Sequence, residues 1–219
     1  MIARLREIVA VVAPGSGGSP KDRVGTRPSG WYGPVKRIID LVGAVTLLAL
    51  LWPLMLFIAI AIHLDSPGPA LFRQRRAGRG SSEFTIYKFR TMHLGTPDVA
   101  SHLLGSSTAH VTRVGRVLRR TSLDEMPQLV NIVAGQMSFV GPRPALWNQA
   151  DLIALRRTAN VDTLRPGVTG LAQVDGRDEL DLTQKVARDR TYLETCSLQV
   201  DLAIMARTFT TLASSRGTN

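Results

Sequence analysis

The pattern of apolar and polar positions divides the chain into unequal parts. Residues 14–30, PGSGGSPKDRVGTRPSG, offer almost nothing to bury and read as a flexible tail, with ordered structure expected from Trp31. From Leu41 to Ile62, LVGAVTLLALLWPLMLFIAIAI, twenty-two residues pass without a charge. As a helix this run would be about 33 Å long, enough to cross the ~30 Å hydrocarbon core of a bilayer. The bland alternative, a buried helix of a soluble domain, needs protein on every side, and the remaining chain is short for that. Beyond the run, DSPGP and AGRG read as turns on either side of an extended ALFRQ. FTIYKF reads as a strand of Phe84, Ile86, Tyr87 and Phe89 that carries Lys88 and Arg90 to its rim. Residues 93–112 lack a period and predict a loop able to cover a site. Met126, Leu129, Val130, Ile132 and Val133 recur at helical spacing, as do Leu198, Leu202, Met205, Phe209 and Leu212. The second stripe has two uses, core packing or docking at a membrane interface. Asp189 and Tyr192, on the segment before it, read as hydrogen-bonding groups that face the core.

Charge changes the picture at the apolar run. Lys21, Arg23, Arg27, Lys36 and Arg37 precede it, and Arg73, Arg75, Arg76, Arg79, Lys88 and Arg90 follow it. Positive charge favours the cytoplasmic face, so both flanks ask for the same side. Pro53 lacks a backbone donor and leaves the Ala49 carbonyl free, which makes a bend cheapest there and divides the run into arms of about 17 Å. Neither arm would cross alone. A kinked spanning helix remains the alternative, since membrane helices tolerate proline, but the basic flanks favour a re-entrant hairpin. The N-terminal MIARLREIVAVVAPG has arginines ahead of an apolar patch of only six residues, Ile8 to Ala13, too short for a signal sequence.

The formal charge is +10 and the sequence pI is near 10.9. An anionic partner follows: nucleic acid, acidic lipid headgroups or a phosphorylated substrate. The basic residues crowd around the membrane element, which favours the last two over nucleic acid. The one cysteine, Cys196, excludes an intramolecular disulfide and fits a cytoplasm-facing bulk. The four histidines, at 63, 93, 102 and 110, show no metal-ligand spacing, and no P-loop or dinucleotide fingerprint is present.

The densest chemistry lies in TRVGRVLRRTSLDEMPQLVNIVAGQMSFVGPRP. Asp124 and Glu125 open the predicted helix, behind Arg113, Arg116, Arg119 and Arg120. Ser122 and Glu125 have capping-box spacing, which gives the acids a purely structural use. Pro127 fits better if Asp124 is the N-cap, because its missing donor then costs nothing. Either way helix dipole and arginines are expected to depress the Asp124 pKa, leaving a carboxylate fit for metal binding or nucleophilic attack. Arg143, between two prolines in GPRP, is presented with little entropic cost, which suits phosphate recognition, although a rigid connector needs no more. The turn-rich RPGVTGLAQVDGRD, with Arg165 and Arg177 at its ends, suits close backbone approach to an anion.

Taken in order, KRIIDLVGA, DSPGPALFRQ, YKFRTM, RRTSLDEMPQL, MSFVGPRPA, LRPGVTGLAQVDGR and DLAIM resemble the bacterial sugar transferases, monotopic polyprenyl-phosphate phosphoglycosyl transferases, over residues 34–212. The resemblance implies a mixed α/β catalytic domain at 65–215, a re-entrant membrane helix at 31–64 with its bend at Pro53, and C-terminal amphipathic helices at the interface. It implies a bacterial inner-membrane protein facing the cytoplasm, and transfer of sugar phosphate from a UDP-sugar to a polyprenyl phosphate such as undecaprenyl phosphate, releasing UMP. Such a protein starts assembly of an exopolysaccharide, capsule, O-antigen or related glycan; membrane lipids are its surroundings, no nucleic acid is expected, and a homo-oligomer is compatible. Carried onto matching positions, Asp124 is the nucleophile and a ligand of Mg²⁺. Glu125 assists, in the metal shell or as a base. Arg143 holds donor phosphate, with Lys88, Arg90, Arg119, Arg165, Gln173 and Arg177 as further substrate contacts. Two positions depart from the family pattern: Trp52 precedes the proline where Ser is frequent, and Asp175 replaces a frequent Asn, with an expected effect on donor recognition. The rival reading is a non-catalytic membrane-anchored scaffold whose basic surface binds anionic lipid or nucleic acid.

Overall fold

The apolar run folds as part of one helix, α1 (Tyr32–Asp65), of 34 residues, in a computed structural model that describes residues 30–96, 110–176 and 180–214. The helix continues through Pro53 without a break. It is long and apolar enough to cross a membrane, and only 11% of its most apolar window is buried. A core helix of a soluble protein would be mostly buried, so the exposed Leu50, Trp52, Leu54, Leu56 and Phe57 around the proline call for an apolar medium.

Both arms of α1 nevertheless rest on the same domain. Ala44, with Leu47 and Leu48 beside it, joins a core of Phe84, Ile86, Leu129, Ile132 and Met137. On the other side of Pro53, Ile58 and Ile62 join Phe89 and Leu118, with Val114, Leu123 and Met126 packed against them. The domain thus contacts the helix before and after the proline and leaves its centre bare.

The expected strand is β2 (Glu83–Phe89), which pairs antiparallel with β1 (Leu71–Ala77) in a register that sets Phe72 opposite Lys88 and Arg76 opposite Phe84. The β1–β2 connection is the predicted turn, at Arg79–Ser81. Helix α2 (Arg113–Thr121) is capped by the Thr112 hydroxyl, which accepts from the Gly115 amide. The next helix, α3 (Gln128–Val133), begins after Pro127 rather than at Asp124. It is fastened to β2 by Asn131, a fully buried amide that accepts from the Tyr87 N–H at 3.2 Å and donates to the Thr85 carbonyl at 2.7 Å. Gly135, at φ 78°, ends α3, where Arg37 donates to the Ile132 and Val133 carbonyls.

Strand β3 (Ser138–Val140) runs parallel to β4 (Gly167–Thr169), with α4 (Ala150–Thr158) between them in sequence. The chain continues through α5 (Leu171–Asp175), α6 (Leu182–Thr195) and α7 (Leu198–Ser214). Of the predicted C-terminal stripe, Leu202 and Phe209 are 65% and 74% exposed, while the buried face of α7 is Val200, Asp201 and Ile204. Core packing is therefore not the use of those two positions. Asp201 instead anchors α1: its carboxylate accepts from Tyr32 and Lys36, each at 2.9 Å, and from Tyr192 at 2.6 Å. Tyr192 and Asp189 face the core as expected, and the fully buried Asp189 carboxylate accepts from Arg156 at 2.7 Å. Residues 14–29 of the predicted tail and residues 97–109 of the predicted loop lie outside the described residues.

Candidate active site

Asp124 and Glu125 occupy no helix N-terminus. Ser122 takes a left-handed conformation, φ 56°, at the end of α2 and its side chain makes no cap bond, so the predicted capping box is absent. The reason is steric: a left-handed residue turns the chain out of α2 and into the short 3-10 turn Leu123–Glu125. On one side of that turn Leu123 and Met126 pack toward Ile58 and Ile62 of α1. The two carboxylates between them are thereby held beside the membrane helix.

The neighbours are cationic. Lys88 of β2 donates to Glu125 Oε1 at 2.7 Å, and Arg143 Nη2 lies 3.4 Å from the same oxygen. Arg119, from the last turn of α2, donates through Nε to the Thr91 hydroxyl at 2.9 Å and acts electrostatically on Asp124. The acids are set apart by these partners. Burial pushes Asp124 up to about 6, aided by the charge of Glu125 and only partly offset by Lys88 and Arg119. The expected depression of its pKa is thus reversed, because burial and the charge of Glu125 outweigh the pull of Lys88 and Arg119. Burial also raises Glu125, but the charges and hydrogen bonds of Lys88 and Arg143 outweigh it and hold the group at about 2. Glu125 is therefore a fixed anion and a poor base. Burial lowers Lys88, against the pull of Glu125.

Arg143 is positioned by its backbone. Its own carbonyl accepts from Arg156 Nη1 at 2.7 Å, and the Pro144 carbonyl accepts from Arg76 Nη1 at 2.9 Å. On the other flank Gly141 donates to the Thr169 carbonyl and Gly167 to the Pro142 carbonyl, each at 2.9 Å. A Cβ on Gly141 would stand 2.3 Å from the Arg165 carbonyl oxygen, so only glycine allows GPRP and RPGVTG to meet there.

The structure does not gather every expected contact here. Arg90 is buried, and its guanidinium donates to the Pro67 and Ser66 carbonyls at 2.5 and 2.8 Å, bracing the turn where α1 ends. It holds backbone rather than presenting a charge at the rim. Arg165 donates to the Gly135 carbonyl at 3.0 Å and feels Arg37 and Arg79, on the side of the α3 terminus. Gln173 donates to the Val168 carbonyl at 2.8 Å. Arg177 lies outside the described residues. Asp175 is buried between Arg188 at 3.2 Å and Arg207 at 2.8 Å, so its carboxylate ties α5 to α6 and α7 instead of facing a donor. Arg156 was not singled out from the sequence; the one available signal was Asp189, a core-facing acid that needed a cation.

Among the described residues no group of three or more His, Cys, Asp or Glu side chains could hold a metal. The donor set nevertheless suits Mg²⁺, which is often bound by one or two carboxylates together with substrate phosphates. Asp124 supplies such an oxygen, on a turn where burial raises its pKa.

The sequence profile described as "Bacterial sugar transferase" matches residues 31–215. The chain is similar to the UDP-glucose:undecaprenyl-phosphate glucose-1-phosphate transferase of Caulobacter vibrioides, 47% identical over 189 residues covering 82% of this chain and 70% of the relative. It is 36% identical to the UDP-N-acetylgalactosamine-undecaprenyl-phosphate N-acetylgalactosaminephosphotransferase of Aeromonas hydrophila, over 87% of this chain and 46% of that protein. The exopolysaccharide production protein ExoY of Rhizobium meliloti is 36% identical over 90% of this chain and 93% of its own length. The chain thus spans less than half of one relative and nearly all of another. A profile that runs from the start of α1 to the end of α7, and takes in the Asp124–Glu125 turn with its cations, places the chain in the bacterial sugar transferase family.

Proposed function

We propose that the protein transfers sugar 1-phosphate from a UDP-sugar to a polyprenyl phosphate, with Asp124 as the nucleophile. The observation that carries this reading is the Asp124–Glu125 turn, ringed by Lys88, Arg119 and Arg143 and flanked by residues packed on α1. Phosphoryl transfer to a lipid phosphate is mostly positioning and charge neutralisation, and this arrangement supplies both at a membrane helix. The named activities of the relatives support the acceptor class.

An Asp124 oxygen attacks the sugar-bearing phosphorus, and the phosphorus–oxygen bond to the nucleotide breaks, its electron pair leaving with UMP. A polyprenyl phosphate oxygen then attacks the same phosphorus and the Asp124 carboxylate departs. Lys88 fixes Glu125, and Arg143 reaches past it toward donor phosphate. Glu125 holds the two cations in place and moves no proton. Mg²⁺ held by Asp124 would supply neutralisation of the diphosphate charge.

Incubation with labelled UDP-sugar alone should label the protein and release UMP, and Asp124→Asn should abolish both. Release of UDP, or full turnover by Asp124→Asn, would overturn the aspartyl mechanism.

The re-entrant reading of α1 rests on two supports: basic residues on both flanks, and contact of both arms with one domain. It places the domain on the cytoplasmic side of the bacterial inner membrane. Gly33, where an added Cβ meets nothing within 4 Å, and the exposed Leu64 give two cysteine sites, Gly33→Cys and Leu64→Cys. Both should react from the cytoplasm; reaction from opposite sides would restore a kinked span.

A further inference from the structure

Helix α2 carries Arg119 into the site, yet most of its charge points elsewhere. At ~3.6 residues per turn, Arg113, Arg116, Val117 and Arg120 fall within one arc of about 100°. All four are exposed. Val114 and Leu118 occupy a second arc and pack against Ile58 and Ile62 of α1. The third direction is taken by Gly115, against the Thr91 backbone, and by Arg119.

The level of this helix is set by α1. Asp65, the last residue of α1, accepts from the Val114 amide at 2.9 Å, so α2 starts where the membrane helix stops. Ile58 and Ile62, its packing partners, lie about 10 and 5 Å back along α1 from that point. The outward arc of α2 therefore lies at the height where apolar medium gives way to headgroups, with an exposed apolar Val117 among arginines.

Resting on the membrane placement of α1 proposed above, we infer that this arc of α2 is a docking surface for the headgroups of anionic phospholipids. Arg113 and Arg116 supply the charge, and Val117 enters the acyl boundary between them. Asp65 feels the charge of Arg113, and its carboxylate is already engaged by the α2 backbone. The surface holds the helix that carries Arg119 at a fixed depth, and so couples lipid charge to the height of the Asp124 turn.

The test uses the full chain in nanodiscs of phosphatidylcholine alone or mixed with phosphatidylglycerol. An environment-sensitive fluorophore is attached through Val117→Cys, Cys196 being buried, and in a second sample through Trp52→Cys at the centre of α1. The Val117 label should shift to a lipid-like emission only in the anionic discs. Arg113→Gln with Arg116→Gln should lower its partition into lipid roughly 30-fold, about fivefold for each arginine removed. The Trp52 label should report lipid in both discs. A Trp52 label in lipid beside a Val117 label indifferent to phosphatidylglycerol overturns this inference alone. A Trp52 label in water overturns the membrane placement and the inference with it. An emission shift produced in neutral discs by an added oligonucleotide would assign the arc to nucleic acid and overturn it as well.

Discussion

Arg156 links a buried acid of α6 to the segment that presents Arg143. Its Nε and Nη2 donate to Asp189 Oδ2 at 3.1 and 2.7 Å, and its Nη1 donates to the Arg143 carbonyl at 2.7 Å. Asp189 is 2% exposed, so Arg156→Met leaves a buried carboxylate without its cation. Breaking one side of such a pair costs about 3–5 kcal/mol. For a chain of this size each kcal/mol moves Tm by about 2–4 °C, so Tm should fall by about 6–20 °C. The pH dependence identifies the cause. Burial already raises Asp189 above the ordinary aspartate value, against the opposing charge and hydrogen bonds of Arg156. A carboxyl raised in the folded state contributes stability that is fully present below its unfolded pKa of ~3.9 and is lost as pH rises through the folded value. Without Arg156 the folded value climbs further, so the deficit of Arg156→Met should be largest at neutral pH and shrink as pH is lowered toward about 5. Asp189→Asn in the same chain should recover much of it. The freed Arg143 carbonyl gives a second readout, a rise in KM for the donor of up to about tenfold if ~1.5 kcal/mol of hydrogen bonding is lost there. Thermal melts across pH and UMP-release kinetics check these outcomes. A deficit independent of pH, or a double variant no more stable than Arg156→Met, would refute the reasoning.

Lys88→Met should lower kcat on the order of 100-fold, because it removes the cation that holds Glu125 and bears on Asp124; UMP release under saturating substrate measures it. Gly141→Ala should cost about 1–3 kcal/mol by forcing a Cβ to within 2.3 Å of a backbone oxygen, whereas Gly33→Ala, with open space around it, should leave Tm unchanged or raise it. Asp175→Asn should lower stability by about 1–3 kcal/mol by leaving Arg188 and Arg207 on a neutral amide, with no change in preference among UDP-sugars in a competition assay.

Much of the local architecture is legible because it depends on near neighbours in sequence. The alternation in FTIYKF and the Gly and Pro clusters around ALFRQ specify β1, β2 and their turns wherever they are placed. The site was legible as a set of residue types, and the motifs in order pointed to Asp124, Glu125, Lys88, Arg119 and Arg143. Their division of labour was not. Whether an acid beside arginines is depressed or raised depends on how deeply it is buried and on which cation reaches which oxygen. Lys88 reaches Glu125 from a strand 37 residues away, while burial raises Asp124 beyond what Lys88 and Arg119 offset. Arg90, Arg165 and Asp175 misled for the same reason. A charged residue in a motif looks the same whether it meets substrate or braces a carbonyl, and these three brace the end of α1, the end of α3 and the junction of α5 with the last two helices.

The sequence by itself determined that this chain has one element fit for a membrane, a proline at its centre, basic flanks, and a carboxylate pair among arginines. Those are properties of composition and short spacing, and the physics behind them acts within a few residues. Only the tertiary structure decided that both arms of α1 rest on one domain, and that a left-handed Ser122 turns Asp124 and Glu125 out of the helix they seemed to cap. The reason is that burial and ion pairing depend on distances across the fold, which residues far apart in sequence set together.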